Sequence, residues 1–169
     1  MTAQRAIRYR PLVATDEPFL WEMLYEAIYV PAGEPPPPRE IVSMPALAQY
    51  AAGFGRPGDL GVLAANHGGT PIGAAWLRLL PDGYGYVDED TPELTMAVVP
   101  GYRGRGVGSG LLERLLDWAG GRYLAVSLSV HAGNRAEALY RRFGFEEVGA
   151  GGATRTLRKA LAQPVRSGG

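Results

Sequence analysis

Apolar and polar residues alternate from Ile7 to Leu12 (IRYRPL), the period-two mark of a half-buried strand. Thr15-Asp16-Glu17-Pro18 then carries helix-start chemistry: a capping residue, early acids and an early proline. Phe19, Leu20, Met23, Leu24, Ala27 and Ile28 follow at helical spacing. Pro31 to Pro38 (PAGEPPPP) cannot continue that helix, because proline lacks the N–H and clashes with the preceding turn. It reads as a stiff polyproline connector, with a pocket-framing loop as the alternative. A second helix is predicted over about Met44 to Ala52, ending near Gly53 and Gly55.

Two apolar segments, Leu60 to Asn66 and Pro71 to Leu80, flank His67-Gly68-Gly69-Thr70 and read as a hairpin. His67 is then a solvated turn residue rather than a catalytic base. Pro81-Asp82-Gly83 is a further turn, and Glu93 to Val99 (ELTMAVV) a further strand. From Gly106 the period becomes helical: Val107, Leu111, Leu115 and Trp118 form one stripe, broadened by Leu112 and Leu116, and Gly120-Gly121 stops it. Tyr123 to Val130 alternates like a strand, Asn134 to Phe143 is a short helix, and Phe145 to Val148 and Thr154 to Leu161 are closing strands. The order β-α-α-β-β-β-α-β-α-β-β predicts an α/β (α+β type) fold. Its hairpins favour antiparallel pairing, and the strand-helix-strand unit from Glu93 to Val130 favours one parallel pair with a right-handed crossover.

The 169 residues fit one domain, expected to span 1–163, with Pro164 to Gly169 as a frayed tail. Seventeen basic residues balance seventeen acidic ones, so global charge points to neither nucleic acid nor an anionic membrane. The absence of cysteine excludes a disulfide framework, a Cys-ligated metal and a cysteine nucleophile, and fits a reducing cytoplasm. No metal is expected. No apolar run approaches the roughly 18 residues of a membrane helix, and Met1-Thr2-Ala3-Gln4-Arg5 lacks the apolar core of a signal peptide.

The informative stretch is Val99-Pro100-Gly101-Tyr102-Arg103-Gly104-Arg105-Gly106-Val107-Gly108-Ser109-Gly110. It joins a strand to a helix and is crowded with glycine at the helix entry, where main-chain amides can turn toward a ligand. Unpaired N–H groups at a helix start, with the positive end of its dipole, make an anion site. Arg103 and Arg105 add charge-assisted donors suited to phosphate oxygens, so a pyrophosphate is the obvious ligand. The dinucleotide fingerprint fails, because its third glycine position holds Ser109 or Leu111, and no Gly-Lys-Ser or Gly-Lys-Thr makes a P-loop.

Arg103-Gly104-Arg105-Gly106-Val107-Gly108 resembles the [QR]-x-x-G-x-[GA] pyrophosphate motif of the GCN5-related N-acetyltransferases. Asn134 to Phe145 (NRAEALYRRFGF) resembles the family's N-x-x-A-x-x-L-Y-x-x-x-G-F segment. The resemblance implies a mixed, mostly antiparallel sheet whose two parallel strands splay to admit acetyl-CoA. It places main-chain groups around Ala97 and Val98 beside the pantetheine arm, and amides from Gly104 to Ser109 on the pyrophosphate. Asn134 would cap the next helix or bond the pantetheine. The implied reaction is acetylation of a primary amine, either a small molecule or a protein terminus, and the family also allows a homodimer. A non-catalytic acyl-CoA-binding regulatory module is the alternative, and a nucleotide-phosphate enzyme using the same loop is the different-class rival.

Transfer to an amine calls for a base and a donor for the departing thiolate. By resemblance Tyr140 is the candidate general acid, its other explanation being an aromatic packed on the short helix. Glu93 is the candidate general base, in a position where some family members use a glutamate through water. Its other explanation is an exposed strand-end acid beside Asp88, Glu89 and Asp90, a run that itself reads as a solvated loop. Trp21, Tyr25, Tyr29, Trp76, Tyr84 and Tyr86 are candidates for an acceptor pocket or for ordinary packing. Ser127 and Ser129 face the cleft without the His-Asp partners of a triad.

Overall fold

Alternation along the strands sorts their side chains onto two faces of one sheet, each covered by helices. The computed structural model describes residues 6–163, so the opening residues and the tail expected at 164–169 lie outside the described residues. Seven strands, β1 (Arg8–Pro11), β2 (Leu60–Ala65), β3 (Pro71–Arg78), β4 (Glu93–Val98), β5 (Ala125–His131), β6 (Glu146–Gly151) and β7 (Thr154–Ala160), lie in the order β1-β2-β3-β4-β5-β7-β6. All neighbours are antiparallel except β4 and β5, which run parallel. The mixed sheet with one parallel pair is as the element order predicts.

The crossover between β4 and β5 is helix α3 (Val107–Ala119), which packs with α4 (Ala136–Arg142) on one face. Val62, Ala64, Ala75, Leu77, Leu94, Val126 and Leu128 meet Leu111, Leu112 and Leu115 there. On the other face Leu63, Ala74, Trp76 and Ala97 meet Leu20, Met23 and Leu24 of α1 (Glu17–Ala27). Successive strand residues thus serve opposite cores, as the period of two requires. No helix among the described residues is long and apolar enough to cross a membrane.

Two local expectations are corrected. The helix over Met44 to Ala52 shrinks to α2 (Pro45–Ala48), preceded by a 3-10 turn over Arg39–Ser43. Tertiary partners intercept the backbone groups that would have continued it. Arg78, 1 % exposed, donates from Nη1 to Gln49 O at 2.9 Å and Ala52 O at 2.8 Å, while Gly53 N donates to Glu17 Oε1 at 2.9 Å. In α3 the buried arc runs toward Leu112, Leu116 and Ala119, leaving Trp118 at its border, 38 % exposed, with the Arg122 guanidinium 5.7 Å from its ring.

Arg78 also pairs with the buried carboxylate of Asp59 at 3.1 Å. Replacing Arg78 by alanine leaves the buried Asp59 charge without its cation and the Gln49 and Ala52 carbonyls without their donor. The expected cost is about 3 kcal/mol, read as a lower urea midpoint for Arg78→Ala than for the wild type.

Candidate active site

β4 ends in a 3-10 turn over Pro100–Tyr102, and the chain then bends through glycine into α3. Gly104 and Gly106 hold φ of +74° and +82°, and an added Cβ at either would meet nothing within 4 Å. Backbone conformation rather than space therefore calls for glycine at both positions. The α3 ladder opens with Gly110 N donating to Gly106 O at 3.1 Å. The amides of Val107, Gly108 and Ser109 precede that bond and have no main-chain acceptor among the described residues. With the dipole of a thirteen-residue helix behind them, these amides have the donor character that suits an anion.

Side chains complete the loop. Val107 is buried in the core, so only its amide faces the loop. The Arg105 guanidinium lies 5.4 Å from the Tyr102 ring, and the Tyr102 hydroxyl accepts from Asn66 Nδ2 at 3.1 Å. Arg103 donates from Nε to Val98 O at 3.0 Å and from Nη2 to Glu26 Oε2 at 3.0 Å. An acyl-CoA pyrophosphate fits this donor set: three free amides, a helix start and two guanidiniums.

The loop sits at the open end of a gap between β4 and β5. These strands share a single registered pair, Glu93 opposite Ser127, where Ser127 N donates to Pro92 O at 3.0 Å. Beyond it they part. Val99 N donates to Ile72 O at 2.8 Å, so strand alternation turns the peptide groups of Ala97 into the β3 ladder. The peptide groups facing the gap are those of Met96 and Val98, and the main-chain pairing expected at Ala97 and Val98 shifts accordingly. Ala97 contributes a small buried side chain on the α1 face.

Glu93 lies at the crotch of the gap and is 4 % exposed, which overturns the exposed strand-end alternative. Tyr50 donates to its Oε2, and Gly85 N donates to Oε1 at 2.7 Å. The Tyr50 hydroxyl in turn accepts from Tyr84 N at 2.8 Å, and the Tyr50 and Tyr84 rings stack at 6.4 Å. Burial pushes the Glu93 carboxyl up, against the pull of the two donors. Burial, then the neighbouring Glu93 carboxyl, pushes the Tyr50 phenol up as well. A Cβ at Gly85 would fall 2.6 Å from Leu128 C, so the loop after β3 lies directly on the β5 backbone.

Tyr140 belongs to α4, on the α3 side of the sheet. Its ring meets Phe145 edge-on at 5.8 Å, and burial alone raises its phenol. The hydroxyl has no hydrogen-bond partner among the described residues. Arg135 is the N-cap of α4 and makes no side-chain cap bond; Asn134, one residue before it, accepts at Oδ1 from Ala136 N at 2.9 Å, and its Nδ2 has no hydrogen-bond partner among the described residues.

The remaining candidates divide. Trp76 is core, with Nε1 donating to Tyr50 O at 2.7 Å. Trp21 donates to Glu17, and Tyr25 to Pro37 O, which ties the proline segment to α1. Tyr84 and Tyr86 are exposed on the loop over the gap. Tyr29 meets His131 with the rings tilted, 4.9 Å apart, and His131 extends β5 one residue past the predicted end. Ser127 is fully buried with an unpaired hydroxyl, and Ser129 is half-buried. His67 is exposed at the hairpin turn. Asp88 accepts from Asp90 N and Thr91 Oγ1, a loop-shaping role. Sequence reasoning missed Tyr50 and Glu26, because each acts through a partner more than forty positions away.

Because the native Glu93 carboxyl is raised above its unfolded value, its contribution to stability is full below about pH 4.3 and is lost as pH rises through the folded value. Urea unfolding from pH 4 to 8 is expected to show the wild type losing stability relative to Glu93→Gln as pH rises. A constant difference between the two proteins would contradict the assignment.

Comparison with known proteins bears on the family and the fold. The family model described as the acetyltransferase (GNAT) family matches residues 21–145. The chain is 42 % identical over 89 residues to the N-alpha-acetyltransferase RimI of Mycobacterium tuberculosis, covering 52 % of each protein. It spans about half or less of the curated relatives it matches. Among solved structures, an Acinetobacter baylyi acetyltransferase superposes with a TM-score of 0.70 at 19 % identity, over 97 % of both chains. A phosphinothricin acetyltransferase of Sinorhizobium meliloti, solved in complex with AcCoA, superposes with a TM-score of 0.64 at 21 % identity, over 95 % of this chain and 94 % of that one. With the family model spanning both the glycine loop and the Asn134 to Phe145 block, this chain belongs to the acetyltransferase (GNAT) family.

Proposed function

We propose that the protein is an acyl-CoA-dependent N-acetyltransferase that transfers an acetyl group from acetyl-CoA to a primary amine by direct attack. One conjunction carries the reading: a strand gap whose open end meets unpaired helix amides and whose closed end holds a buried glutamate. The bound thioester supplies the activated acetyl group. Arg103, Gly104, Arg105, Gly106, Val107, Gly108 and Ser109 would hold its pyrophosphate. Val98 peptide groups, with those of Met96, would line the pantetheine arm, and Asn134 Nδ2 would reach it from the α4 side. Ala97 would back them with a side chain small enough to keep α1 close.

Both chemical roles follow from proton bookkeeping. A peptide α-amine, with a pKa near 8, is mostly protonated at pH 7, and a lysine-like amine with a pKa near 10.4 almost wholly so; in either case the proton needs a destination. Glu93 would receive it through water, its raised carboxyl being better matched to that task than an ordinary one. The Tyr140 hydroxyl, free of protein partners, would donate to the departing thiolate. No covalent acyl-enzyme is required, because orientation of the two reactants can supply much of the acceleration. The likeness to an Nα-acetyltransferase favours a peptide terminus as acceptor over a small metabolite.

Calorimetric titration with acetyl-CoA tests the cofactor half. Saturable binding is expected for the wild type and loss of it for the Arg103→Ala, Gly106→Glu variant, provided circular dichroism shows that variant folded. No binding by the folded wild type would sink the reading. Tyr140→Phe keeps the ring packing, so it should bind acetyl-CoA normally while kcat falls at least about tenfold. Unchanged turnover would remove the acid assignment. Binding without turnover on any amine, peptide termini included, would favour the non-catalytic module.

A further inference from the structure

Arg103, unlike Arg105, is held by a carboxylate from outside the loop. Its side chain is half exposed, yet two contacts fix it: Nε on Val98 O and Nη2 on Glu26 Oε2, both at 3.0 Å. Glu26 belongs to the last turn of α1, 77 positions earlier in the chain, and is itself partly buried. The ion pair therefore joins the helix on one face of the sheet to the loop at the end of β4.

We infer that Glu26 is a positioning residue for cofactor phosphate, acting by holding the Arg103 guanidinium in a binding-ready orientation. This rests on the acetyl-CoA reading above. A guanidinium carries five N–H donors in a rigid fork. Val98 O and Glu26 occupy two of them, leaving both N–H groups of Nη1 and one of Nη2 for a ligand. A free arginine of this exposure would lose its rotamer entropy when phosphate arrives; here much of that loss precedes binding. The Val98 carbonyl alone restrains only the Nε end of the fork. Glu26 restrains the far end and stops it swinging into solvent. Arg105, by contrast, rests on the Tyr102 ring with no carboxylate partner among the described residues, so it has no such restraint to lose.

The test is a double-mutant cycle read by CoA titration. Glu26→Ala should weaken CoA binding about fivefold, the upper range for a partly exposed ion pair, with the melting temperature checked to confirm folding. Glu26→Gln, which keeps an acceptor oxygen without its charge, should fall between. In an Arg103→Gln background, Glu26→Ala should have no further effect. In turnover the KM for acetyl-CoA should rise with kcat unchanged, and kcat/KM with acetyl-pantetheine, which lacks the pyrophosphate, should not move. Unchanged or tighter CoA binding by Glu26→Ala overturns the inference, as does an equal loss in the Arg103→Gln background. Wild-type protein that fails to bind CoA overturns the acetyl-CoA reading along with it, which separates the two failures.

Discussion

The parting of β4 from β5 after one registered pair is the constraint around which the rest is arranged. A parallel pair inside a sheet ordinarily satisfies its peptide groups along its whole length, and unpaired backbone polar groups are costly when buried. Here the ladder stops at Glu93 and Ser127, so the Met96 and Val98 edge of β4 faces a gap. Arg103 Nε satisfies the Val98 carbonyl, and the loop after β3 lies against β5 at Leu128 through Gly85. Both are local substitutes for missing strand pairing. A ligand with amides of its own along an extended arm can serve the same edge as an added strand.

The gap stays open because its two walls are anchored separately. β4 is tied to β3 over six registered residues, and β5 to β7 over seven. α3 spans from the end of β4 to the start of β5, burying Leu111, Leu112 and Leu115 against the strands on both sides. At the closed end, the Glu93 carboxyl collects Tyr50 and Gly85 N, linking the α2 region, the loop after β3 and the start of β4. A buried carboxyl shared by three segments fixes their relative positions and has its own pKa raised by the burial. Structural restraint and the raised carboxyl come from the same contact.

The glycine-rich strand-to-helix turn was legible because its geometry is local. Strand, glycine run and helix are consecutive, and the left-handed φ values at Gly104 and Gly106 follow from residue types in one short window. The antiparallel hairpins and the one parallel pair were also legible from the turns and the helical crossover, whereas the insertion of β7 between β5 and β6 was not. The details that escaped were settled by distant partners. Nothing near Glu93 in the chain announces that Tyr50 will cover it, and its acidic neighbours suggested exposure instead. The peptide orientation at Ala97 depends on its register with Ala74, which periodicity alone does not set. The helix expected from Met44 to Ala52 had adequate local propensity, but the Arg78 guanidinium and the Glu17 carboxylate took its backbone groups.

By itself the sequence determined the alternation that builds each strand, the stripe that buries α3, the glycine-rich turn into that helix and the family resemblance. These depend on residues within a turn or two of one another, where sterics and hydrogen-bond geometry leave little choice. Only the tertiary structure decided that Glu93 is buried, that Met96 and Val98 rather than Ala97 turn their peptides to the gap, and that Glu26 grips Arg103. Each of those depends on which segments are brought together across the sheet, and burial, register and ion pairing are properties of that meeting rather than of either segment alone.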